Sequence, residues 1–169
     1  MLIPNNLLNI YSGSTFSVEL TNGNYSFRDY LYTDGVLIND ASYLNMFVQR
    51  NKISYNSVLI GGLGIGFLPY WISQNTDCNV IDVIEKNDEL ASWVQSNNHL
   101  DPNINIIVSD IYNYSTSKTY DLILMDLWWG KDFENIDENQ PKLVDQFSDN
   151  VNQNGCIYFC LTNYIWTKS

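Results

Sequence analysis

Apolar positions along this chain follow two different rhythms. In the first part they alternate with polar ones. FSVEL at 16–20 has the period-two pattern of a half-buried strand. The Asn22-Gly23 pair after it is a tight-turn signal, and YSFRDYLYT at 25–33 predicts a second, aromatic-rich strand. A turn at Asp34-Gly35 precedes a third short strand, VLI at 36–38. Together these predict an antiparallel hairpin layer. Between residues 40 and 52 the period lengthens: Tyr43, Leu44, Phe47 and Val48 share one helix face, with Asp40 or Ser42 as its cap.

From residue 57 onward, strand and helix signals alternate. SVLIGG at 57–62 is a continuous apolar run, the mark of a strand buried on both faces. FLPYWISQN at 67–75 predicts a helix with Pro69 in its first turn. NVIDVIE at 79–85 is a second strand, and NDELASWVQSNN at 87–98 a second helix, capped by Asn87 or Asp88. INIIVSD at 104–110 and YDLILMD at 120–126 read as the third and fourth strands. An acidic, polar stretch at 130–140, GKDFENIDENQ, predicts a loop; PKLVDQFSDNV at 141–151 follows as a helix with Pro141 as its first residue. Asn154-Gly155 then predicts a turn into a last strand, CIYFCLT at 156–162. Such alternation implies an α/β fold with a parallel, doubly wound sheet of about five strands and right-handed crossovers.

Length and composition narrow the function classes. With 169 residues, 45% of them hydrophobic and 16% charged, the chain is long enough to bury a sizeable core. A net charge of -11 argues against a nucleic-acid partner, which needs Lys and Arg to displace counterions. It suits a small-molecule partner, an amine among the candidates, or solubility alone. Three cysteines, Cys78, Cys156 and Cys160, without a CxxC pair predict free thiols and no metal site. The opening MLIPNNLLNIYS has no basic start and no long apolar run, and no stretch approaches the ~18 apolar residues of a membrane span. The expectation is a soluble, cytoplasmic protein. An exposed last strand would call for cover, which leaves room for a homo-oligomer.

The chemistry-bearing residues converge on one edge of the predicted sheet. The first core strand runs into Gly61-Gly62-Leu63-Gly64-Ile65-Gly66, a turn that brings backbone close to a ligand and leads into a helix N-terminus. Tight strand–helix packing can need the same glycines. Glu85, however, ends the second strand about twenty residues later, where an acid accepts from both hydroxyls of a ribose. Asp110 ends the third strand and Asp126 the fourth, and ligands of open α/β sheets bind outside these carboxyl ends. The glycine spacing is G-x-G-x-G, not the G-x-G-x-x-G of nicotinamide dehydrogenases. His99, the single histidine, lies in a polar loop. Trp128 and Trp129 follow the fourth strand, where their faces would attract a cation or cap the core.

The segments VLIGGLGIG, VIDVIEKND, INIIVSDIYNY and YDLILMDLWWG together resemble the class I S-adenosylmethionine-dependent methyltransferases, and within them the spermidine synthase-like branch. LYTDGVLINDASYLNMF at 31–47 is similar to the strand–turn–helix segment that enters the main domain in that branch. The resemblance spans roughly residues 30–165. It implies a Rossmann-like domain at 53–169 behind an N-terminal β-layer and helix at 1–52, with a C-terminus shortened by two strands. It implies S-adenosylmethionine, or its decarboxylated form, as cofactor. Gly61, Gly62, Gly64 and Gly66 would lie against its methionine part and ribose, Glu85 with Lys86 at the ribose hydroxyls, and Asp110 with Ile111 at the adenine. Asp126 would stand at the reacting centre as the catalytic residue, and Tyr43, Trp128 and Trp129 would line the acceptor pocket. The implied reaction is methyl transfer to a small acceptor, with aminopropyl transfer and cofactor binding without turnover as alternatives. The chain departs from aminopropyltransferases at Ile65, where they carry an acid, at Leu127-Trp128-Trp129, and at Leu44-Asn45 beside Tyr43.

Overall fold

The computed structural model describes residues 9–21, 24–30, 36–38, 55–97, 100–127 and 135–168. Five segments form a parallel sheet, and the three central ones are buried along nearly their whole length. They are β5 (Ser57–Gly61), β6 (Val80–Glu85), β7 (Ile104–Val108), β8 (Tyr120–Met125) and β9 (Val151–Phe159). Ahead of them β1 (Tyr11–Ser12), β2 (Phe16–Thr21), β3 (Asn24–Asp29) and β4 (Val36–Ile38) pair antiparallel in sequential order. The expected hairpin layer is therefore present, with β1 as an additional short strand. The Asn22-Gly23 and Asp34-Gly35 turns, the helix at 40–52 and the boundary near residue 52 lie outside the described residues.

The main sheet has the order β10-β9-β8-β5-β6-β7. Its sixth strand, β10 (Tyr164–Thr167), pairs antiparallel with β9 and corrects the expectation that the chain stops after a fifth strand. The connection between them places Asn163 at φ 54. β9 also begins earlier than expected. Asn154-Gly155 is not a turn into the strand but an irregularity within it: Tyr120 pairs with Val151 and Leu122 with Cys156, while Asn154 adopts φ 67. Extra residues bulge out, and the ladder resumes.

Helices α1 (Phe67–Asn75), α2 (Asp88–Ser96) and α3 (Ile136–Phe147) cover the sheet. Asn87 caps α2 by accepting from the Leu90 N–H at 3.2 Å. α3 starts five residues before the expected position, so Pro141 sits inside it and residues 136–140 are helix rather than loop. Asp137 and Glu138 in its first turn complement the positive end of the helix dipole. Alternation along the strands divides the core in two. Val58, Ile60, Ile81, Val83, Leu122 and Leu124 face α1 and α2. Leu59, Ile84, Ile123, Met125 and Ile157 face α3, whose Leu143 and Phe147 are buried against them.

The N-terminal layer joins the first of these cores. Phe16, Val18 and Phe27 are buried with Trp93 and Leu90 of α2, and Tyr11 stacks on Phe16 at 4.6 Å between ring centres. Polar contacts fix the docking. The Glu89 carboxylate accepts from the Tyr11 hydroxyl at 2.9 Å, the Ser14 amide at 3.0 Å, the Ser14 hydroxyl at 2.7 Å and the Thr15 hydroxyl at 2.9 Å. These donors, the Ser14 hydroxyl foremost, hold the Glu89 carboxyl at a pKa of about 2.

On the α3 face, under the β6–β7 edge, a polar cluster takes the place of a helix. Asp82 on β6 is 1% exposed and accepts from Tyr120 Oη at 2.7 Å, Lys118 Nζ at 2.8 Å and Asn105 Nδ2 at 2.9 Å. Burial pushes the Asp82 carboxyl up, but the three donors outweigh it and leave the pKa below the ordinary aspartate range. Stabilisation from this group is therefore present above that range and is lost as pH falls through the folded value. Tyr120→Phe removes one donor to a buried charge and is expected to lower the unfolding free energy by about 1.5–3 kcal/mol in urea melts at neutral pH. The gap to the parent protein should close as acidification protonates Asp82; a gap independent of pH would assign the loss to packing instead.

Candidate functional site

β5 lies between β6 and β8, so the chain leaves it toward one half of the sheet and returns on the other side. The carboxyl ends of β5 and β8 flank this reversal, where open α/β sheets leave a crevice. Backbone contacts draw the strand ends together: Gly62 N donates to Ile84 O at 2.9 Å, Asp126 N to Gly61 O at 2.9 Å, and Ser109 N to Glu85 O at 2.9 Å. Gly61 ends β5 beneath Met125 and Leu127, so close that a Cβ there would meet Met125 Sδ at 3.0 Å.

Two glycines behave differently, and the contrast locates a cradle. Gly62 has φ +93, and a Cβ would lie 2.3 Å from the Asp126 carbonyl oxygen, so this glycine serves the fold. Gly64 has φ +53 and a Cβ would meet nothing within 4 Å among the described residues. Among the described residues nothing therefore crowds the backbone at Gly64. Gly66 closes the loop as the left-handed N-cap of α1.

Glu85 ends β6 beside this loop. It is 8% exposed, not the solvated strand-end acid that its position alone would allow. Its Oε2 accepts from Leu63 N at 3.0 Å and its Oε1 from Asn87 N at 2.8 Å. A carboxylate has about four acceptor positions, and the Asn87, Leu63 and Lys86 N–H groups do not fill them all. Burial pushes its pKa up; the Asn87 and Leu63 N–H groups and the Lys86 charge oppose this without reversing it. Lys86 itself is exposed.

Asp110 lies two residues beyond the end of β7. It is exposed and caps a short 3-10 turn (Ile111–Asn113), accepting from Tyr112 N at 3.0 Å. Ile111 is buried and points its side chain toward Gly61. The turn is held by α3, whose Gln146 Nε2 donates to the carbonyls of Ile111 and Tyr114, each at 2.8 Å. Asp126, the residue after β8, is partly buried. Gly61, Gly62, Gly64, Glu85, Ile111 and Asp126 are thus brought to one rim, with Asp110 at its outer margin. Tyr43, Trp128 and Trp129 lie outside the described residues, as does His99.

Cys160, directly after β9, also belongs to this rim and was not singled out from the sequence. Its N–H donates to Met125 O at 3.0 Å. Burial first, and the Asp126 charge second, push its thiol well above the usual range and keep it neutral. In the sequence it falls inside the expected strand at 156–162 and belongs to no motif, whereas the strand ends at Phe159. The other two cysteines, Cys78 and Cys156, are buried, and none of the three forms a disulfide. Among the described residues no group of three or more His, Cys, Asp or Glu is placed to hold a metal ion. Nor is any described helix long and apolar enough to cross a membrane.

Solved structures of similar shape include coclaurine N-methyltransferase bound to N-methylheliamine and S-adenosylhomocysteine, with a TM-score of 0.53 at 21% identity over 69% of this chain and 34% of that one. The N-methyltransferase NodS from Bradyrhizobium japonicum superposes with a TM-score of 0.55 at 16% identity, over 70% of this chain and 64% of that one. The chain has the Rossmann-like fold of the class I methyltransferases. In sequence, 83 residues are 32% identical to malonyl-[acyl-carrier protein] O-methyltransferase 1 of Ilyobacter polytropus. That match covers 49% of this chain and 31% of the relative, so the chain spans about a third of that protein's length. No known family's sequence profile matches the chain.

The glycine contrast is testable. Gly64→Ala should cost ~1–2 kcal/mol, the strain of a left-handed alanine, and still fold. Gly62→Ala adds a backbone collision and should lower the melting temperature much further. If both variants melt alike, the Gly64 region is filled rather than open.

Proposed function

We propose that the rim binds S-adenosylmethionine and that the chain transfers its methyl group to a small-molecule acceptor. The carrying observation is Glu85: a buried carboxylate held by loop and helix N–H groups, with acceptor capacity left beside the open backbone of Gly64. A vicinal diol fits such a group, because its hydroxyls can donate into the acceptor capacity that the backbone N–H groups leave. The S-adenosylhomocysteine named in the structural relatives and the methyltransferase relative in sequence support the same reading.

The cofactor's sulfonium supplies a methyl group already activated for transfer, so the protein's share is orientation and charge placement. In this reading Glu85 grips the ribose hydroxyls, with Lys86 beside it. Asp110 and the Ile111 backbone face the adenine, and Gly64 lets the loop approach the cofactor closely. Asp126 orients the acceptor and takes a proton from it when the acceptor is an amine. Tyr43, Trp128 and Trp129 remain proposed lining for the acceptor. The net charge of -11 favours a cationic or neutral small molecule over a nucleic acid. A soluble cytoplasmic location completes the reading, and the exposed last strand leaves room for a homo-oligomer.

The finer placement in the spermidine synthase-like branch draws support from the antiparallel layer in front of the sheet, and with it aminopropyl transfer from the decarboxylated cofactor stays as the second reading. Supplying both cofactors with putrescine separates the two.

Calorimetry with S-adenosylhomocysteine tests the site itself. Glu85→Gln should weaken binding by about tenfold or more, ~1.4 kcal/mol, with the fold retained. Unchanged affinity would remove Glu85 from the ribose. Asp126→Asn should leave binding of S-adenosylhomocysteine nearly intact while lowering turnover by roughly 10²–10⁴-fold on an amine acceptor. Equal losses of both would withdraw its catalytic role. For the parent protein, affinity should fall on acidification at a pH above the ordinary glutamate range, because Glu85 must be ionised to accept and its burial raises its pKa.

A further inference from the structure

The polar contacts that dock the N-terminal layer end on the same residue that steadies Glu85. Asn87 is 6% exposed and makes contacts in three directions. Its backbone N–H donates to Glu85 Oε1 at 2.8 Å, and its Oδ1 accepts from Leu90 N at 3.2 Å. With the oxygen committed to the helix cap, its Nδ2 faces the layer and donates to Thr15 Oγ1 at 3.0 Å. The Thr15 hydroxyl, having accepted there, directs its single proton to Glu89 Oε2 at 2.9 Å. Ser14 and Tyr11 complete the grip on Glu89. Gly13 permits it: a Cβ on Gly13 would collide with Glu89 Oε1 at 2.0 Å.

We propose that the N-terminal layer is part of the cofactor site by this route: Thr15 and Asn87 act as positioning residues that hold the Glu85 carboxylate toward the ribose, so that docking of the layer and binding of the cofactor strengthen each other. The proposal rests on the reading of Glu85 given above. Side chains 72 and 74 residues away in sequence close a continuous hydrogen-bonded path from the layer to the site. Without Thr15, the Asn87 side chain loses its outer anchor while still capping α2. The strand end between Val83 and Asn87 then gains freedom, and Glu85 with it. Coupling must be reciprocal: whatever docking adds to cofactor affinity, the cofactor adds to docking.

Thr15→Val keeps the shape and deletes the hydroxyl, so the layer's apolar contacts survive. Thr15→Ser is the conservative companion: it keeps the hydroxyl that accepts from Asn87 Nδ2 and donates to Glu89, and should stay close to the parent protein. Two measurements are made on each full-length variant: amide hydrogen exchange without ligand, and calorimetric affinity for S-adenosylhomocysteine. Thr15→Val should speed exchange at the Leu63 and Asn87 amides, which donate to Glu85, and weaken the ligand by about 5–150-fold, the usual span of coupling between sites. In the parent protein, added S-adenosylhomocysteine should slow exchange across residues 14–18, and this protection should shrink in Thr15→Val. Equal affinity and equal exchange in Thr15→Val and the parent overturn the proposal, because the layer would then be docked without consequence for Glu85. If the parent protein does not bind S-adenosylhomocysteine, the cofactor reading fails. Exchange at Leu63 and Asn87 then decides by itself whether the layer holds Glu85.

Discussion

A carboxylate buried at the end of β6 governs this structure. Glu85 sits where the first crossover leaves the sheet, and it ties the glycine loop to the start of α2 through Leu63 N and Asn87 N. Such a group is costly to bury, which is why its pKa rises. It stays in place because backbone N–H groups converge on it and cannot turn away. The geometry of the loop, the register of α2 and the docking of the N-terminal layer all meet at this point. It is on this buried carboxylate, with acceptor capacity left by its backbone partners, that the proposed ribose contact rests.

The three rim acids illustrate how environment separates like groups. Glu85 is buried and constrained by main chain on both oxygens. Asp110 is exposed and spends acceptor capacity on its own turn, at Tyr112 N and the Asn113 side chain. Asp126 contributes its backbone to the fold, donating to Gly61 O and setting its carbonyl under Gly62, while its side chain stands beside a thiol. A row of acids in sequence is therefore not a row of equivalent groups in space, and the assignment of distinct roles follows from these differences.

What could be read from the chain alone followed burial. β5, β6 and β8 are central strands, apolar on both faces, and their runs stand out against the polar loops. The rim was legible for the same reason, since each acid marks the point where an apolar run stops. The C-terminal part was not. Asn152, Gln153 and Asn154 look like a turn, yet they belong to β9, because a strand with a bulge can carry polar residues that no regular pairing would admit. β10 is short and largely exposed, without the alternation that betrays a strand. Pro141 suggested a helix start, but α3 accommodates it on an exposed position in its second turn. The Thr15–Asn87–Glu89 contacts were invisible in principle, since no local pattern links positions more than seventy residues apart.

The two faces of the sheet are closed by different means, and this bears on how the rim is built. On one side α1, α2 and the N-terminal layer supply apolar cover, so the loop and Glu85 rest on a packed foundation. On the other, α3 is the only α-helix among the described residues, and the β6–β7 edge is finished with Asp82, Asn105, Lys118 and Tyr120. Asp110 and Ile111 therefore have no helix of their own crossover to lean on. Their turn is held by Gln146, a residue of the following crossover. The rim is assembled from one firmly seated half and one suspended half. The firmly seated half carries the group that must be held most rigidly. The suspended half presents the exposed Asp110 carboxylate, on a turn whose Ile111 and Tyr114 carbonyls are taken up by Gln146. The proposed adenosyl contact draws on that division, with fixed acceptors at Glu85 for a ribose and an exposed margin at Asp110 for a base.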